Sequence, residues 1–512
     1  MSRRVATLED ILYIKQPYRF RRLIIDRGGS FQQNPPMETF FSPHDLLAAG
    51  PLTLVSVVAL IVLIIEALKD RSEDVTFGLS LAGLLGAGIW AFAGIPASGS
   101  AYGGMLSTGG AASFFAMVFA VSGALTVMLS RSYNAREGIE HGEFYALVLF
   151  AVAGMMMMAG AADLIVLFLG LELMSVSFYI LAGFARRRAT SNEAAMKYFL
   201  LGAFATGFLL YGIALLYGSA GTTSIAEIRA AAGTLTGSPL FLIGLGLVLI
   251  GFGFKIAAVP FHMWVPDVYE GAPTTVSGFM STGGKAAAFS AILLVFAPAV
   301  LGIIWQVREL LALGAALSMI VGNVIAIAQS NIKRMLAYSS IAHAGYILTG
   351  VVAGNAYGTQ GVLYYLAAYT VMNVGAFGVL SLMEKEDGKG LTFDEYTGLS
   401  TAKPLVAGLM ALFMFSLAGI PPFAGFFGKY YVFAGAIGAG YTWLAIIGVL
   451  MSVVSAYYYL RLVVVMYFRE PAAAFGGAEN RLALGALVFS ALAIIGLGLF
   501  PTTILNLTAA IF

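Results

Sequence analysis

The fold is decided by a proline-interrupted apolar segment that carries one lysine, Gly251-Phe-Gly-Phe-Lys255-Ile-Ala-Ala-Val-Pro260. A second segment repeats this combination, Leu417-Ala-Gly-Ile-Pro421-Pro422-Phe-Ala-Gly-Phe-Phe-Gly-Lys429. Proline removes a backbone donor and clashes with the preceding turn, so each helix should break where protein or water satisfies the freed carbonyl groups. Both segments lie in apolar runs long enough to cross a bilayer. They therefore predict broken helices inside a membrane, at Pro260 and at Pro421 and Pro422.

The composition of the whole chain agrees with a membrane environment. Apolar residues make up 60% of the 512 residues and charged residues 11%, against about 25% charged in an ordinary globular protein. A soluble enzyme is thereby excluded. The 28 basic and 26 acidic side chains nearly balance, which gives no reason to expect nucleic acid as a partner. With no cysteine and four scattered histidines, the chain is not expected to hold an iron–sulfur cluster or a metal ion.

Hydropathy windows of about 19 residues predict fourteen transmembrane helices, numbered here as spans 1 to 14. The apolar runs are continuous, whereas a membrane β-barrel shows alternating segments of about ten residues. The predicted fold class is therefore an all-α polytopic membrane protein. The spans lie near residues 46–67, 75–95, 111–130, 143–161, 163–184, 194–217, 238–265, 273–297, 308–328, 332–354, 358–383, 403–433, 440–468 and 482–510.

The two proline-broken spans, 7 and 12, lie five spans apart. A five-helix unit crosses the membrane an odd number of times, so spans 4–8 and 9–13 are expected to be inverted repeats, an arrangement in which broken helices mark an ion path. The predicted domains are a basic tail at residues 1–36, spans 1 to 3 at 37–142, the first repeat at 143–297, the second repeat at 298–468 and span 14 at 469–512.

Lysine and arginine are distributed unevenly between the loops. Loops after even-numbered spans hold Arg229 and Arg308. Loops after odd-numbered spans hold fourteen basic residues: Lys69, Arg71, Arg131, Arg136, Arg186, Arg187, Arg188, Lys333, Arg334, Lys385, Lys389, Lys403, Arg469 and Arg481. This bias places the odd loops in the cytoplasm and both ends of the helical body outside. The basic tail would then lie on the wrong face, either as an unusual external tail or because translation starts at Met37, the interpretation that we favour.

Four ionisable residues lie deep inside predicted spans, where a charge costs from about 2.5 to more than 10 kcal/mol. They are Glu172 near the middle of span 5, Lys255 beside the break in span 7, Lys285 in span 8 and Lys429 after the break in span 12. A buried lysine keeps its proton when a carboxylate is near and releases it when the carboxylate moves away. We interpret these four residues as proton-transfer sites in preference to structural hydrogen-bonding groups.

Two further residues each carry two interpretations. Lys197 lies close enough to the cytoplasmic edge of span 6 to reach water with its ammonium group, or it extends the line of transfer sites. His343 is the one group that titrates near neutrality between Arg334 and Glu384, and it either makes a structural hydrogen bond or relays a proton. Asp267 and Glu270 are expected to cap or close the connection between spans 7 and 8.

These motifs resemble the antiporter-like subunits of respiratory complex I, the proton-pumping NADH:quinone oxidoreductase. The resemblance covers about residues 40–510 and rests on the segments 255–273, 331–343 and 417–429. Within that family the N branch is favoured. The M branch typically has glutamate at the position of Lys429, and the L branch carries a long C-terminal lateral helix for which this chain has no length.

The resemblance implies two inverted five-helix repeats in a complex whose NADH, FMN, iron–sulfur and quinone sites lie on other subunits, with no cofactor or metal on this chain. It implies that Glu172 and Lys255 form a pair, that Lys285 and Lys429 are the central and exit-side lysines, and that Lys197 and His343 lie on the central axis. The implied partners are subunit M, small subunits such as K, protons and lipid, in a bacterial inner membrane. Two alternatives remain open, a subunit of a multi-subunit sodium/proton antiporter and a non-transporting scaffold.

Overall fold

The structure is a computed structural model that describes residues 42–69, 72–385, 388–471 and 480–509. The basic tail and the expected start at Met37 lie outside these residues. Within them the chain is almost entirely helical, with one short hairpin of β1 (Ser98–Ala101) and β2 (Leu106–Gly109). The two strands are antiparallel, with Ser98 opposite Gly109 and Ala101 opposite Leu106. The predicted all-α membrane fold is confirmed.

Helices α1 to α12 occupy the first part of the described chain. Their bounds are α1 Pro43–Ala48, α2 Gly50–Leu68, α3 Glu73–Gly94, α4 Gly110–Glu137, α5 Gly142–Gly160, α6 Leu164–Ala182, α7 Ala189–Ala220, α8 Ile225–Leu235, α9 Pro239–Ile256, α10 Trp264–Gly271, α11 Thr274–Phe279 and α12 Lys285–Val295. A π-helical turn, Met280–Gly284, joins α11 to α12 without a break in the span.

Helices α13 to α22 occupy the remainder. Their bounds are α13 Pro298–Ile303, α14 Trp305–Ile327, α15 Ile332–Ala353, α16 Ala356–Met383, α17 Leu399–Ala402, α18 Pro404–Ala418, α19 Ala424–Gly438, α20 Thr442–Phe468, α21 Arg481–Leu499 and α22 Pro501–Ala509. A short 3-10 turn, Phe393–Tyr396, precedes α17.

In the described part of the chain, thirteen helices are long and apolar enough to cross a membrane. They correspond one by one to the predicted spans other than span 12. Span 12 is divided between α18 and α19, so neither half reaches the length of a span alone. The fourteen predicted crossings are thus present as thirteen helices and one discontinuous pair. The inverted relationship between the two five-helix groups stays a prediction.

Polar side chains at the N-termini explain where several helices begin. Asp163 accepts a hydrogen bond from the backbone of Ile165 at the start of α6, and Asn355 accepts one from Gly358 at the start of α16. Asn331 caps α15 in the same way through the N–H of Arg334. Each cap satisfies a backbone donor that has no partner within its own helix.

Both predicted breaks are present, and the two helices before them end in the same way. Ala257 and Gly419 adopt left-handed conformations, with φ of 62° and 87°. The N–H of the next residue then bonds back to the last turn, from Ala258 to Gly253 at 2.9 Å and from Ile420 to Phe415 at 3.1 Å. This arrangement satisfies carbonyl groups that a continuing helix would have used. Pro260 and the pair Pro421 and Pro422 follow these ends.

Side chains complete the hydrogen bonding at both breaks. The indole of Trp264 donates to the carbonyl of Phe254 at 3.0 Å, and Ser318 of α14 accepts the N–H of Val259 at 2.9 Å. At the second break the ammonium group of Lys429 donates to the carbonyl of Ala418 at 2.9 Å. The broken backbone is therefore satisfied by protein groups, as irregular backbone at membrane depth requires.

The centre of the bundle is formed by the span from α11 to α12 together with α15 and α16. Nearly all residues of these spans are buried, whereas most residues of α2 and α7 are at least partly exposed. The inner spans carry Lys285 and His343, and the outer faces are suited to contact lipid or other subunits. The fold therefore places Lys285 and His343 on the best-shielded spans.

Candidate functional site

Lys255 lies in the last turn of α9 and is 7% exposed. Its ammonium group donates to Ser175 Oγ at 2.7 Å and lies 3.4 Å from the hydroxyl of Tyr179. The same group lies 5.5 Å from the ring centroid of Tyr179 and 5.8 Å from that of Tyr198. An ammonium over aromatic faces is stabilised without a counter-charge. The described partners of this lysine are thus two hydroxyl groups and three rings, the third being Phe254 at 5.8 Å.

Glu172, the expected partner of Lys255, does not form an ion pair with it in the described structure. The carboxylate of Glu172 instead accepts a hydrogen bond from Thr206 of α7 at 2.9 Å, and the side chain is partly exposed. Glu172, Ser175 and Tyr179 are three and four residues apart on α6, so they share one face of that helix. Ser175 and Tyr179 therefore lie on the same face as Glu172 and hold the ammonium group that the carboxylate was expected to hold.

Lys285 begins α12 directly after the π-helical turn and is 2% exposed. Its ammonium group donates to both the carbonyl oxygen and the hydroxyl oxygen of Ser340 on α15. It also lies 5.8 Å from the ring centroid of Tyr369. A single π-helical turn is typical of functional positions in a helix, because it shifts the register of the following side chains. Here that shift precedes the central lysine.

His343 on α15 is held between two tyrosine hydroxyls and is 1% exposed. Its Nδ1 lies 2.8 Å from Tyr365 OH, and its Nε2 lies 3.1 Å from Tyr459 OH. In a neutral imidazole one nitrogen donates and the other accepts, whereas a tyrosine hydroxyl can do either. Both ring nitrogens are therefore engaged with groups that can pass a proton on.

Lys429 on α19 closes the far end of this arrangement and is 5% exposed. Besides its bond to the carbonyl of Ala418, its ammonium group lies 4.8 Å from the ring centroid of Tyr346. Asn323 of α14 donates to the hydroxyl of Tyr346 at 2.9 Å and fixes that ring. Lys429 thus joins the second helix break to the buried aromatic group beside His343.

Contacts between these side chains form a continuous series, which we call the lysine–histidine row: Lys285, Tyr369, His343, Tyr346 and Lys429. The ring of His343 lies 4.9 Å from that of Tyr369 and 5.6 Å from that of Tyr346, measured between centroids. Because each lysine contacts one of these two tyrosines, the row runs from α12 across α16 and α15 to α19. The structure therefore brings together three of the predicted site residues.

In the described structure, the hydrogen bonds and ring contacts of Lys255 do not reach any member of the row. Phe178 of α6 packs edge-on against Phe279 of α11 with centroids 5.2 Å apart, next to Gly284. Trp264 stacks against Tyr198 and Phe254, two of the rings beside the ammonium group of Lys255. Polar side chains nearby are paired with each other, such as Ser122 with Thr282 at 2.9 Å. Passage from Lys255 to Lys285 therefore requires water or a side-chain movement between them.

Lys197 lies outside this buried arrangement. Its side chain is 41% exposed and forms ion pairs with Glu193 and Asp267, each at 2.7 Å. Arg334 joins the same cluster through Asp267 at 2.9 Å and Glu270 at 2.6 Å. Burial raises the pKa of Asp267, but the hydrogen bonds from Lys197 and Arg334 outweigh that effect and leave the pKa below its usual value. Asp267 and Glu270 thus bind α7 and α15 together beside the break after α9.

A buried polar cluster at the ends of four helices was missed by the sequence analysis. Glu384, after α16, has a fully buried side chain that pairs with Arg188 at 2.7 Å and accepts a hydrogen bond from Thr274 Oγ1. Burial raises the pKa of Glu384, but Lys333 and Arg188 outweigh that effect, so the pKa lies below the usual value. Lys333, expected in a loop, is 1% exposed and donates to a backbone carbonyl at 2.5 Å.

Some of the missed partners had a signal in the sequence. Tyr365 and Tyr369 are four residues apart, which places both on one face of α16, and Tyr346 follows His343 by three residues on α15. Tyrosines repeated at helical spacing beside a buried histidine indicate a shared polar interior. In contrast, Arg188 and Glu384 are 196 residues apart, and no local pattern connects them.

The described residues contain one group of three potential metal ligands, Glu66, His141 and Glu143, whose ligand atoms lie within 4.8 Å of one another. His141 and Glu143 are exposed, and Glu66 already accepts hydrogen bonds from Ser72 and from the backbone of Gly142. None of the contacts described here joins this group to the lysine–histidine row. The chain has no cysteine with which to hold an iron–sulfur cluster.

Comparison with known proteins gives a consistent result. The family model described as NADH:quinone oxidoreductase/Mrp antiporter, transmembrane, matches residues 161–455. The chain is 49% identical over 471 residues to NADH-quinone oxidoreductase subunit N of Trichlorobacter lovleyi, covering 91% of this chain and 96% of that protein. It is 45% identical over 483 residues to the subunit N of Salinibacter ruber, with coverage of 91% and 96%.

Solved structures lead to the same group. A chain in respiratory complex I from Thermus thermophilus with bound aureothin has a TM-score of 0.78 and 37% identity, covering 90% of this chain and 99% of that one. A chain of the Mrp complex from Dietzia also has a TM-score of 0.78, with coverage of 91% and 97%, but at 20% identity it shows a shared fold alone. This chain belongs to the NADH-quinone oxidoreductase subunit N family, the antiporter-like membrane-arm subunits of respiratory complex I.

Proposed function

We propose that this chain translocates protons across the membrane, coupled to quinone reduction on other subunits of the complex. The observation that carries the proposal is the lysine–histidine row, in which buried ionisable side chains follow one another in contact across the middle of the bundle. Groups of this kind are costly in a membrane and are typical of proton relays. The chain takes no part in the redox steps, for which NADH, FMN, iron–sulfur clusters and quinone are bound by other subunits.

The proposed route begins at the first helix break. A cytoplasmic proton reaches the ammonium site of Lys255, which Ser175 and Tyr179 hold at the end of α9. It passes to Lys285 through water between the two lysines, and then to His343. The proton leaves on the outer side from Lys429, at the second helix break. At His343, uptake on one ring nitrogen and release from the other moves a charge without moving the side chain.

Glu172 is proposed to gate the first step. A carboxylate near a buried lysine favours the charged lysine, and its removal favours release of the proton. Because Thr206 of α7 now holds the carboxylate, a small movement of α6 against α7 changes its distance from Lys255. Such a movement has to be driven from outside this chain, and the coupling between modules is then reciprocal. Subunit M and small subunits such as K are the proposed neighbours.

The proposed orientation places Arg188 and the connection before α15 on the cytoplasmic side and both ends of the helical body outside, in a bacterial inner membrane. The uneven distribution of lysine and arginine supports it. In this orientation the Arg188–Glu384 cluster lies on the cytoplasmic side. The route from Lys255 to Lys429 then runs along the membrane plane before it reaches the outer side.

The proposal is tested by replacing Lys255 or Glu172 with alanine in the assembled complex. Proton uptake or release by vesicles is measured together with quinone reductase activity, and Lys197→Ala serves as the matched control on an exposed lysine. We expect Lys255→Ala to lower proton translocation strongly and Lys197→Ala to leave it unchanged. Normal translocation by both Lys255→Ala and Glu172→Ala complexes would instead favour a scaffold in which the lysines only clamp helices.

The chain shares its fold with a chain of the Mrp complex. The second candidate function is therefore that of a sodium/proton antiporter subunit. The two assignments differ in their partners. Purification of the assembly through a tag on this chain, followed by identification of its subunits by mass, separates them. Flavin and iron–sulfur subunits in the preparation support the complex I assignment, and a preparation of small membrane subunits alone supports the antiporter.

A further inference from the structure

A cavity opens on the side of the helical bundle between α9 and α14, and we call it the lateral cavity. Its volume is about 440 Å³. The backbone of the first helix break forms one end of it, from Ala258 to Phe261. Along α9 it extends from Ile243 to Ile256, and along α14 from Leu310 to Leu317. The lateral cavity lies behind the break, whereas Lys255 faces Ser175 and Tyr179.

The lining of the lateral cavity is almost entirely hydrocarbon. It consists of leucine, isoleucine, valine, alanine, proline, phenylalanine and glycine, without a polar side chain. A water molecule needs two to four polar partners, so an apolar cavity stays dry and takes up an apolar molecule. An apolar cavity of about 150 Å³ binds benzene. The lateral cavity, at roughly three times that volume, is suited to a longer hydrocarbon ligand.

The cavity opens on an exposed, apolar outer face of the helical bundle. Ile243 is 55% exposed, and Leu310 and Leu313 are each 54% exposed. The lining of α14 covers eight residues, a rise of about 10 Å, and that of α9 covers fourteen residues, a rise of about 20 Å. One leaflet of the hydrocarbon core is about 15 Å thick. The cavity therefore has the length of one lipid tail and the direction of a tail that runs parallel to the helices.

One end of the cavity lies near the predicted outer surface of the membrane. Trp305 is the first residue of α14, is 65% exposed, and precedes the lining residue Leu310 by five positions. Exposed tryptophan at a helix end is typical of the membrane–water boundary. The other end reaches Val259, whose N–H is held by Ser318 thirteen residues into α14. The cavity thus descends from the boundary to the middle of the membrane.

From these observations we propose that the lateral cavity binds one acyl chain of an outer-leaflet phospholipid, which packs against the break between α9 and α10. The head group stays at the membrane surface near the start of α14, and the end of the tail contacts the backbone of Ala258, Val259 and Pro260. The bound tail supports the broken segment from the side opposite to Lys255. This site is independent of the proposed proton transfer, because it requires only the membrane-embedded fold.

The glycines of the lining provide variants that fill the cavity without disturbing the helices. A Cβ at Gly246 would meet no other heavy atom within 4 Å, and one at Gly314 would meet only the carbonyl oxygen of Val259 at 3.8 Å. Gly314→Leu and Gly246→Leu are therefore expected to assemble normally. Gly207→Leu on the exposed face of α7 is the matched control, since its Cβ also has open space around it.

The test uses the assembled complex in vesicles of phosphatidylethanolamine and phosphatidylglycerol that contain a trace of photoreactive phospholipid. One probe carries a diazirine near the end of its acyl chain, and a second carries it near the glycerol. Cross-linked peptides are identified by mass spectrometry. We expect the first probe to label residues near Leu317 and Val259, and the second to label residues near Leu310 and Ile243, both well above the labelling of α7 around Phe204.

In Gly314→Leu and Gly246→Leu complexes we expect the labelling at Leu317 and Val259 to fall by about tenfold, with no change in Gly207→Leu. Three results would overturn the proposal. They are equal labelling of α7 and the cavity by both probes, labelling unaffected by either cavity-filling variant, and cross-links from a neighbouring subunit that occupies the cavity in the complex. Quinone reductase activity of each preparation verifies that the variants have assembled.

Discussion

Lys285 donates hydrogen bonds to both oxygens of Ser340, so the central ammonium group is held entirely by neutral acceptors on a neighbouring helix. No acidic side chain lies within ion-pair distance of Lys285 in the described part of the chain. A buried charge with dipolar partners alone is more easily discharged than one in an ion pair. This arrangement suits a site that repeatedly gains and loses a proton.

The first prediction concerns this pair. Lys285→Met removes the ionisable group and is expected to abolish proton translocation through this subunit. Ser340→Ala keeps the carbonyl acceptor and loses the hydroxyl, so we expect a fall of about tenfold, in line with one hydrogen bond to a charged group. The initial rate of vesicle acidification or alkalinisation measures both variants. Ser290→Ala on α12 is the control, since that buried hydroxyl bonds to the carbonyl of Ala287 within its own helix. Equal rates in Lys285→Met and wild type would contradict the prediction.

A second prediction concerns the two hydroxyls at His343. Tyr365→Phe and Tyr459→Phe each remove one partner of the imidazole and leave the other, while the ring packing is kept. We expect each variant to slow translocation, and the double variant to slow it more than either, because the histidine then has no polar partner for the proton. Tyr364→Phe is the control, since that hydroxyl bonds to the carbonyl of Leu497 instead. A double variant with the wild-type rate would show that His343 is structural.

A third prediction concerns Gly419 at the second helix break, and it distinguishes the effect of backbone strain from the effect of a contact with Lys429. Gly419 has φ of 87°, and a Cβ there would lie 3.1 Å from Lys429 Cδ and 3.3 Å from its Nζ. Gly440 has φ of 86° and no neighbour within 4 Å. Alanine at either position costs about 1 kcal/mol of backbone strain, but only Gly419→Ala displaces the lysine. We expect similar thermal stabilities and a selective loss of proton translocation in Gly419→Ala. Equal activities would place Lys429 outside the route.

A fourth prediction concerns the buried pair of Arg188 and Glu384. Removal of the arginine breaks a buried ion pair, which costs about 3–5 kcal/mol where the remaining charge has no other partner, and less here because Lys333 still offsets the charge of Glu384. Arg188→Ala should therefore lower the thermal stability of the assembled complex markedly. Arg187→Ala, the exposed neighbouring arginine, should leave it within about 0.5 kcal/mol of wild type. A small and equal effect of both replacements would mean that the pair is not important for the fold.

The pH dependence of this pair follows from the lowered pKa of Glu384. A carboxyl whose pKa is lower in the folded state contributes stability above its unfolded pKa of about 4.3 and loses that contribution as the pH falls through the folded value. Thermal stability is therefore expected to be constant near neutral pH and to fall in acid below about pH 4. Glu384→Gln should lose less stability than wild type over that acid range. An identical acid dependence would assign the effect to other carboxyl groups.

Much of the fold could be predicted from the sequence because the bilayer imposes simple rules. Continuous apolar runs gave the crossings, and the prolines after Lys255 and before Lys429 gave both breaks. The breaks are local, since a proline acts on the preceding turn of its own helix. The left-handed conformation of Ala257 was harder to predict, because an alanine in a sequence does not indicate a positive φ.

The partners of the charged residues could be predicted less well. Glu172, Ser175 and Tyr179 all lie on one face of α6, and the sequence alone does not decide which of them reaches Lys255. Packing of α7 decides it, because Thr206 holds the carboxylate. Likewise, the sequence left Lys197 either at the cytoplasmic edge of its span or on the central axis of the bundle. Only the position of Asp267 on α10 shows that the ion pairs of Lys197 lie at the edge.

The central claim is that Lys255, Lys285 and Lys429 act in series. The most direct measurement is the number of protons translocated per NADH oxidised, by vesicles that contain complexes with each lysine replaced by methionine, singly and together. Groups in one series act as a unit, so their effects are not additive. We predict the same decrease in this ratio for each single variant and no further decrease for the triple variant. An unchanged ratio, or decreases that add up across the three sites, would contradict the claim.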